Sequence, residues 1–599
     1  MASVHINNAV IETLSVNSKE NVPYFGVLLG QETKDGWHVT GCCHLKDSSP
    51  LQFSVLKESV SQYLSGGLQI CGIFLENTSL KVDKIASQVK KYSIKHQNGL
   101  VICVKLNNDS NLSEENIFLS YDVNSIQRPT VIVKENDPPF VKVRLKCSFT
   151  LSVRIDSQKG LYCSLKNELL SVIENLCNTI SSASTVYRVQ GTAVVFSCTQ
   201  VVGLPMEAVC SSLLQLSNAD QDEFVQGKQK HSKSQLEGTL LCDLLQNVTV
   251  TKETCDVPLC APIIQHSLEK FRAVTLTLPI DVCCQVTPDM QVMTLGEYMT
   301  TALCNQLRAM QDCLLKNIEG ETLPKVQPFH FQPWKSSAII TVIYPEEKSE
   351  EKLESKRREL HSLFCLSPSR PLFRRGNVYL FPEDIMQYGY LINPHQYITT
   401  QPMKGGQQSL VQGLYSYHHY MQDRFDDNMW GCAYRSLQTL VSWFRFQGYT
   451  DKPIPTHREI QQALVDVGDK EPKFVGSRQW IGSMEVSYCL DHLIGVTSRI
   501  VFVSEGSELA TKGRELAQHF QVQGTPIMIG GGVLAHTILG VDFNEVTGDV
   551  KFLILDPHYT GAEDLKVILD KGWCGWKGMD FWDKTAHYNM CLPQRPKVI

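Results

Sequence analysis

The chain has 599 residues, 43% hydrophobic and 20% charged, with a formal charge of −6, so it exceeds a single core and suits roughly three or four ordinary globular domains. No lysine- or arginine-rich stripe marks a nucleic-acid face, no apolar run approaches the roughly 18 residues of a membrane helix, and Met1-Ala2-Ser3-Val4-His5 lacks the pattern of a signal peptide. The 21 cysteines are odd in number, scattered and without a CxxC pair, which argues against a disulfide framework or zinc ribbon and for free thiols in a reducing, cytosol-facing protein.

Residues 1–145 alternate short strands and helices. Phe25-Gly26-Val27-Leu28-Leu29-Gly30 and Trp37-His38-Val39-Thr40-Gly41 are strand-like and flank a polar turn at Thr33-Lys34-Asp35-Gly36. Residues 68–74 and 100–104 predict further strands, and Asp137-Pro138-Pro139 punctuates the end of the segment. Residues 146–395 form a mixed α/β segment with strands at 192–198 and 274–278 and a helix from Leu295 to about Lys316. Residues 217–234 are poor in apolar side chains and predict a loop, while 346–359 mix both charge signs and predict a solvated helix face. Residues 399–409, rich in Gln, Thr and Gly, predict a linker to a third domain, 396–599, denser in Trp, Gly and His.

That last domain carries the chemistry. In Asp426-Asp427-Asn428-Met429-Trp430-Gly431-Cys432-Ala433-Tyr434-Arg435 a cysteine precedes an apolar helix face of Ala433, Leu437, Leu440, Val441 and Phe444, closed by Gly448. Cys432 at a helix N-terminus sits where partial positive charge favours thiolate, and its own N–H there can help hold an oxyanion. Gly431 permits a sharp turn and a close substrate. A buried structural cysteine is the rival reading.

A base comes from a second segment. The strand-like Phe552-Leu553-Ile554-Leu555 ends in Asp556-Pro557-His558, where Pro557 holds Asp556 extended, so His558 can act as base with Asp556 orienting it. His536, in Gly530-Gly531-Gly532-Val533-Leu534-Ala535-His536, competes: the order Cys432, His536, Asp556 would copy the papain arrangement, although its apolar surroundings suit a core histidine. The residues themselves leave the two open. Tyr420 stands twelve positions before Cys432 and offers a phenol to the oxyanion, or simply a packed ring. His418-His419 has no third ligand at usable spacing, so no metal is expected. Gly476–Gly482 with Trp480, and Gly572–Gly578 with two tryptophans, are either groove walls or turns pinned by aromatic packing.

Tyr-His-His-Tyr-Met-Gln-Asp-Arg at 417–424, Trp-Gly-Cys-Ala-Tyr-Arg-Ser-Leu-Gln at 430–438, Pro-Thr-His-Arg-Glu-Ile-Gln at 455–461, Gly-Ser-Arg-Gln-Trp-Ile-Gly at 476–482 and Leu-Asp-Pro-His-Tyr-Thr-Gly at 555–561 resemble the cysteine proteases specific for ubiquitin-fold modifiers. The resemblance is nearly continuous over 396–599 and looser from about 146. It implies an α/β, papain-like fold related to the autophagy proteases, with Cys432 as nucleophile, Asp556 as orienting acid, His558 as base and Tyr420 in the oxyanion hole. His536 then becomes a residue supporting the substrate groove, alongside Trp430 and Trp480. Met429 departs from the family's Asn-Gly-Trp-Gly-Cys, in which glycine holds its position. Residues 1–145 resemble an MPN domain, but Gly72-Ile73-Phe74 is followed by Leu75-Glu76-Asn77-Thr78 where active members carry His-x-His-Pro, implying a metal-free binding module.

The expectation is a thiol protease without cofactor that trims a ubiquitin-fold modifier's precursor after its C-terminal glycine and removes the modifier from target lysines. The resemblance adds a membrane-anchored adaptor that recruits the cytosolic enzyme to the endoplasmic reticulum, with the nucleus as a second location. A catalytically silent scaffold, in which residues 1–395 do the work, and an autophagy-type protease for another modifier are the alternatives.

Overall fold

Strands rich in apolar residues, some buried along most of their length, build two large sheets in the first of the chain's two units, Met1–Ser367. The computed structural model describes residues 3–17, 24–44, 59–76, 101–106, 117–122, 125–127, 130–134, 140–156, 161–223, 239–246, 271–319, 323–334, 336–368, 370–381, 389–398 and 401–596. The eight-stranded sheet runs, edge to edge, Ser125–Gln127, Ile117–Asp122, Val101–Leu106, Gln69–Glu76, Tyr24–Thr33, Gly36–His44, Ser3–Asn7 and Thr130–Lys134. Its hairpin turns at Thr33-Lys34-Asp35-Gly36, where Gly36 takes a φ of 123°. Leu75 and Glu76 end a strand, whereas Asn77-Thr78 and Asp137-Pro138-Pro139 lie outside the described residues.

In the six-stranded sheet Val141–Asp156 and Phe271–Val286 pair antiparallel over their full length of 16 residues each. The helix Val292–Lys316 packs on it through Leu295, Met299, Leu303, Leu307, Met310 and Leu314, spaced three or four apart along one face. Three predictions need correction here. The strand at 192–198 shrinks to Val195–Phe196, because Gly191 turns the chain at a φ of 76° and Thr192 bonds back to Val189 O. Residues 217–223 continue the helix Cys210–Glu223 rather than starting a loop, and 224–234 lie outside the described residues. The charged run at 346–359 is partly turned inward: Arg357, 1% exposed, is paired at 3.0 Å with the buried Glu350, and neither charge could be buried there without the other.

The second unit, Pro368–Ile599, is organised on an antiparallel sheet. Its strands run Ser498–Val503, Tyr588–Pro593, Ile527–Gly531, Leu534–Phe543, Val550–Leu555 and Cys574–Lys577, with Gln407–Leu410 also paired to Leu534–Phe543. The helix Cys432–Phe446 packs against the strands Leu534–Phe543 and Ile527–Gly531. It is buried all round from Cys432 to Phe444, not on one face; Arg435, Gln438, Thr439 and Ser442 are hydrogen-bonded, while the Ser436 hydroxyl is buried without a partner among the described residues. The predicted linker is overturned as well. Gln407-Gln408-Ser409-Leu410 is a strand whose ladder is made by the backbone, so its polar side chains conceal it, and Met403 N donates to Asp542 Oδ2 at 2.8 Å. Thr399 and Thr400 lie outside the described residues. The unit opens at Pro368, ahead of residue 396, and a bridge between Ile392 and Ser416 ties its start to the segment before the cysteine.

Candidate active site

Cys432 is the first residue of its helix, and Gly431 caps it with a φ of −88°. Any residue adopts that φ, so the glycine is required for clearance: a Cβ at Gly431 would stand 2.6 Å from Asp427 Cβ. Asp427 is wholly buried and organises the loop. Its carbonyl accepts from Trp430 N and Gly431 N, Oδ1 accepts from Met421 N at 2.8 Å, and Oδ2 takes Arg435 Nε at 2.6 Å and stands 3.0 Å from His457 Nε2. Arg435, also fully buried, bonds Asp423, Gln438 Oε1 and Gln422 O. Sequence reasoning missed this pair: Asp427 and Arg435 lie in the string around Cys432, but only the fold shows that they face each other.

The strand Val550–Leu555 delivers Asp556 and His558 to the cysteine. Asp556 N donates to Trp573 O at 2.8 Å, and Tyr417 OH donates to Asp556 O. Asp556 Oδ1 lies 2.6 Å from His558 Nδ1 and accepts from His558 N at 3.0 Å. This leaves Nε2 for the thiol. Burial opposes charge on both partners, but the hydrogen bond and charge of His558 hold the Cys432 thiol below its usual range. Against its own burial, the hydrogen bonds to Asp556 and Cys432 lift His558 to about 9. Both shifts favour the thiolate–imidazolium form of the pair.

His536 stands on the other side of the carboxylate. Its Nε2 is 3.8 Å from Asp556 Oδ2, and its ring lies 5.2 Å from His558 and 5.1 Å from Phe581. Burial pushes it down to about 4, with His558 and Lys577 adding to that and Asp556 opposing. It is a neutral packing partner of Asp556.

Tyr420 is 3% exposed, its N donates to Pro557 O at 2.9 Å, and its ring meets His558 edge-on at 5.3 Å. Burial and the neighbouring Cys432 sulfur hold its hydroxyl well above the usual phenol range, so it remains a donor. Trp430 is buried among Phe425, Tyr434 and His457, at 5.9, 5.4 and 5.4 Å, and serves as packing beneath the cysteine. Trp480 is 56% exposed and donates Nε1 to Met429 O at 3.3 Å, forming with the 78%-exposed Met429 an apolar lip beside the cysteine loop. His418 and His419 are both hydrogen-bonded within the protein, His418 Nε2 to Ser416 Oγ at 2.8 Å and His419 to backbone carbonyls and Glu563.

Met429 has a φ of 71°. This explains why a glycine suits the position, since a Cβ is strained in the left-handed region. Met429→Gly is expected to stabilise the protein by about 0.5–1 kcal/mol, the relief of strain being partly offset by a more flexible unfolded chain. Thermal unfolding of the full chain measures it, and an unchanged or lower midpoint would overturn the assignment of strain.

Comparison with known proteins matches residues 406–591 to peptidase family C78 and residues 170–386 to the model "Ubiquitin-fold modifier 1 specific protease 2, N-terminal". Ufm1-specific protease 2 of Rattus norvegicus is 48% identical over 463 residues, covering 76% of this chain and 99% of the relative. The Homo sapiens protein of that name is 48% identical over 464 residues (76% and 98%), and the Danio rerio protein 50% over 399 residues (67% and 98%). A crystal structure of UfSP from C. elegans matches with a TM-score of 0.72 at 26% identity, covering 100% of both chains. The α/β fold with a papain-like C-terminal domain follows from the same matches.

Proposed function

This chain belongs to the Ufm1-specific protease 2 family, and from that premise we propose how its C-terminal unit acts as a cysteine peptidase on Ufm1. The enzyme processes Ufm1 and cleaves it from conjugates. The observation that carries the mechanism is the relay from Asp556 Oδ1 to His558 Nδ1 at 2.6 Å, with the imidazole paired to Cys432. The Cys432 thiolate attacks the carbonyl of the C-terminal glycine. Tyr420 OH and the Cys432 N–H, which has no intrahelical partner at the first helical position, take up the developing oxyanion. His558 gives its proton to the departing amine, leaving a thioester. The neutral imidazole then deprotonates water for hydrolysis, while Asp556 holds the ring in one tautomer. A glycine tail suits a site that leaves no room for a side chain, which sets specificity sterically.

Fusions of Ufm1 and of other ubiquitin-fold modifiers, cleaved side by side, test this reading. Ufm1 fusions should turn over about 100-fold faster or more. Preference for another modifier would replace it with an autophagy-type protease.

Residues 1–145 are assigned the role of a metal-free, MPN-like binding module, since His-x-His-Pro is replaced after Phe74, and 146–395 that of a binding or recruiting α/β domain. Location at the cytosolic face of the endoplasmic reticulum, with a nuclear pool, rests on the family resemblance. Among the described residues no helix is long and apolar enough to cross a membrane, and the reading assigns attachment to a membrane-anchored adaptor. The protein should co-sediment with microsomes and be lost from them after their surface is proteolysed. Retention after proteolysis would overturn adaptor recruitment.

A further inference from the structure

The two halves of the site come from distant segments, 417–420 and 556–559, and something must hold them in register. Two links are made by groups within those segments: Tyr417 OH to Asp556 O, and Tyr420 N to Pro557 O at 2.9 Å. The third is the ring of His419, a residue for which the mechanism has no use. Its Nδ1 lies 2.9 Å from Tyr420 O and 3.1 Å from Tyr559 O, bridging the residue that carries the phenol and the residue next to His558. Both partners are carbonyls and only accept, so Nδ1 carries a hydrogen.

On the other edge of the ring, Nε2 is 2.9 Å from Glu563 Oε1. The Glu563 carboxylate thereby holds the ring from behind. Gln422 Nε2 donates to the same oxygen, and Gln422 Oε1 accepts from His419 N at 2.9 Å. His419 is 1% exposed, and the rings of Tyr417 and Tyr559 close over it at 4.9 Å each. The imidazole has one orientation open to it.

We propose that His419, locked by Glu563, is a positioning residue for catalysis: its Nδ1–H fixes the Tyr420 main chain to the strand end that bears His558 and so aims the Tyr420 hydroxyl at the oxyanion. This inference rests on the reading of Tyr420 as oxyanion donor. It concerns only carbonyl chemistry. Alkylation of the Cys432 thiolate forms no oxyanion, so its plateau rate, reached above the thiol's titration, does not depend on the Tyr420 hydrogen bond that helps hold that thiol down.

The test measures kcat and KM for a Ufm1 fusion and the rate of Cys432 alkylation by iodoacetamide, in the full chain. Tyr420→Phe and His419→Gln should each lower kcat by about 100- to 1,000-fold, with KM and the plateau rate of alkylation changed by less than about twofold. The double variant should be little worse than either single one, because both remove the same aimed hydroxyl. Glu563→Ala should fall in kcat like His419→Gln, and Glu563→Gln, which keeps a partner for Nε2, should recover most of that loss. An unimpaired kcat in His419→Gln beside an impaired Tyr420→Phe would overturn the positioning role, as would a parallel fall of kcat and alkylation, the mark of a general structural defect. An unimpaired Tyr420→Phe would instead overturn the oxyanion reading beneath it. Should His419→Gln fail to fold, the partly exposed Glu563 carries the same comparison through its two variants.

Discussion

Replacing Cys432 by alanine should lower the turnover of Ufm1 fusions by about a millionfold, the loss expected when the nucleophile of a covalent mechanism is removed, and should leave only the weak hydrolysis that an oxyanion site supports with water. Folding should survive, because the change deletes one sulfur at the first residue of a helix held by the Asp427–Arg435 ion pair and by packing on the sheet. The check is intact mass after exposure to Ufm1 bearing a C-terminal electrophile. The unmutated chain should gain one adduct and Cys432→Ala none, with melting temperatures within a few degrees. Cleavage persisting in the variant would assign the nucleophile elsewhere. An unmutated chain that binds Ufm1 without forming an adduct would turn the weight to a scaffold built on residues 1–395.

The parts of this site that were legible in the sequence are those encoded locally. A cysteine ahead of an apolar-periodic run places a thiol at a helix start, and a strand that stops in Asp-Pro-His presents its last side chains at a sheet end. Both statements need only neighbours in the chain, and Cys432 and His558 stand where they lead. What stayed hidden depends on burial and pairing that only the rest of the fold imposes. Asp427 and Arg435 look like surface charges until the fold buries both in one ion pair, and Glu350 with Arg357 deceives in the same way. Residues 407–410 resemble a linker because strand pairing uses the backbone, which sequence patterns register only through side chains. Trp430 suggested a groove wall, yet its indole packs inward and Trp480 stands at the surface. The glycine needed at 431 was legible, but not its reason, since the crowding atom belongs to Asp427.

His558→Ala should cost about four orders of magnitude or more in kcat, whereas His536→Ala should cost about tenfold, together with roughly 1–3 kcal/mol of stability from the space opened in its packing. Both rings face Asp556, and the difference lies in how they meet it. His558 is hydrogen-bonded to the carboxylate at 2.6 Å and paired with the thiolate, which together lift it to about 9; His536 stands off at 3.8 Å and is held by burial at about 4. An acid is useful only while protonated. At neutral pH His558 carries the proton that the leaving amine requires and His536 has none to give. The pH profile of kcat/KM for an isopeptide substrate should therefore keep its plateau well above the ordinary histidine range and fall as pH rises through about 9, where His558 loses its proton. Its acid limb is set by protonation of Cys432, which the imidazolium keeps below the usual thiol range. His536→Ala should retain an alkaline limb. Full turnover in His558→Ala, or loss of the limb in His536→Ala, would hand the acid–base role to His536 and would require the Asp556 carboxylate to swing from one ring to the other.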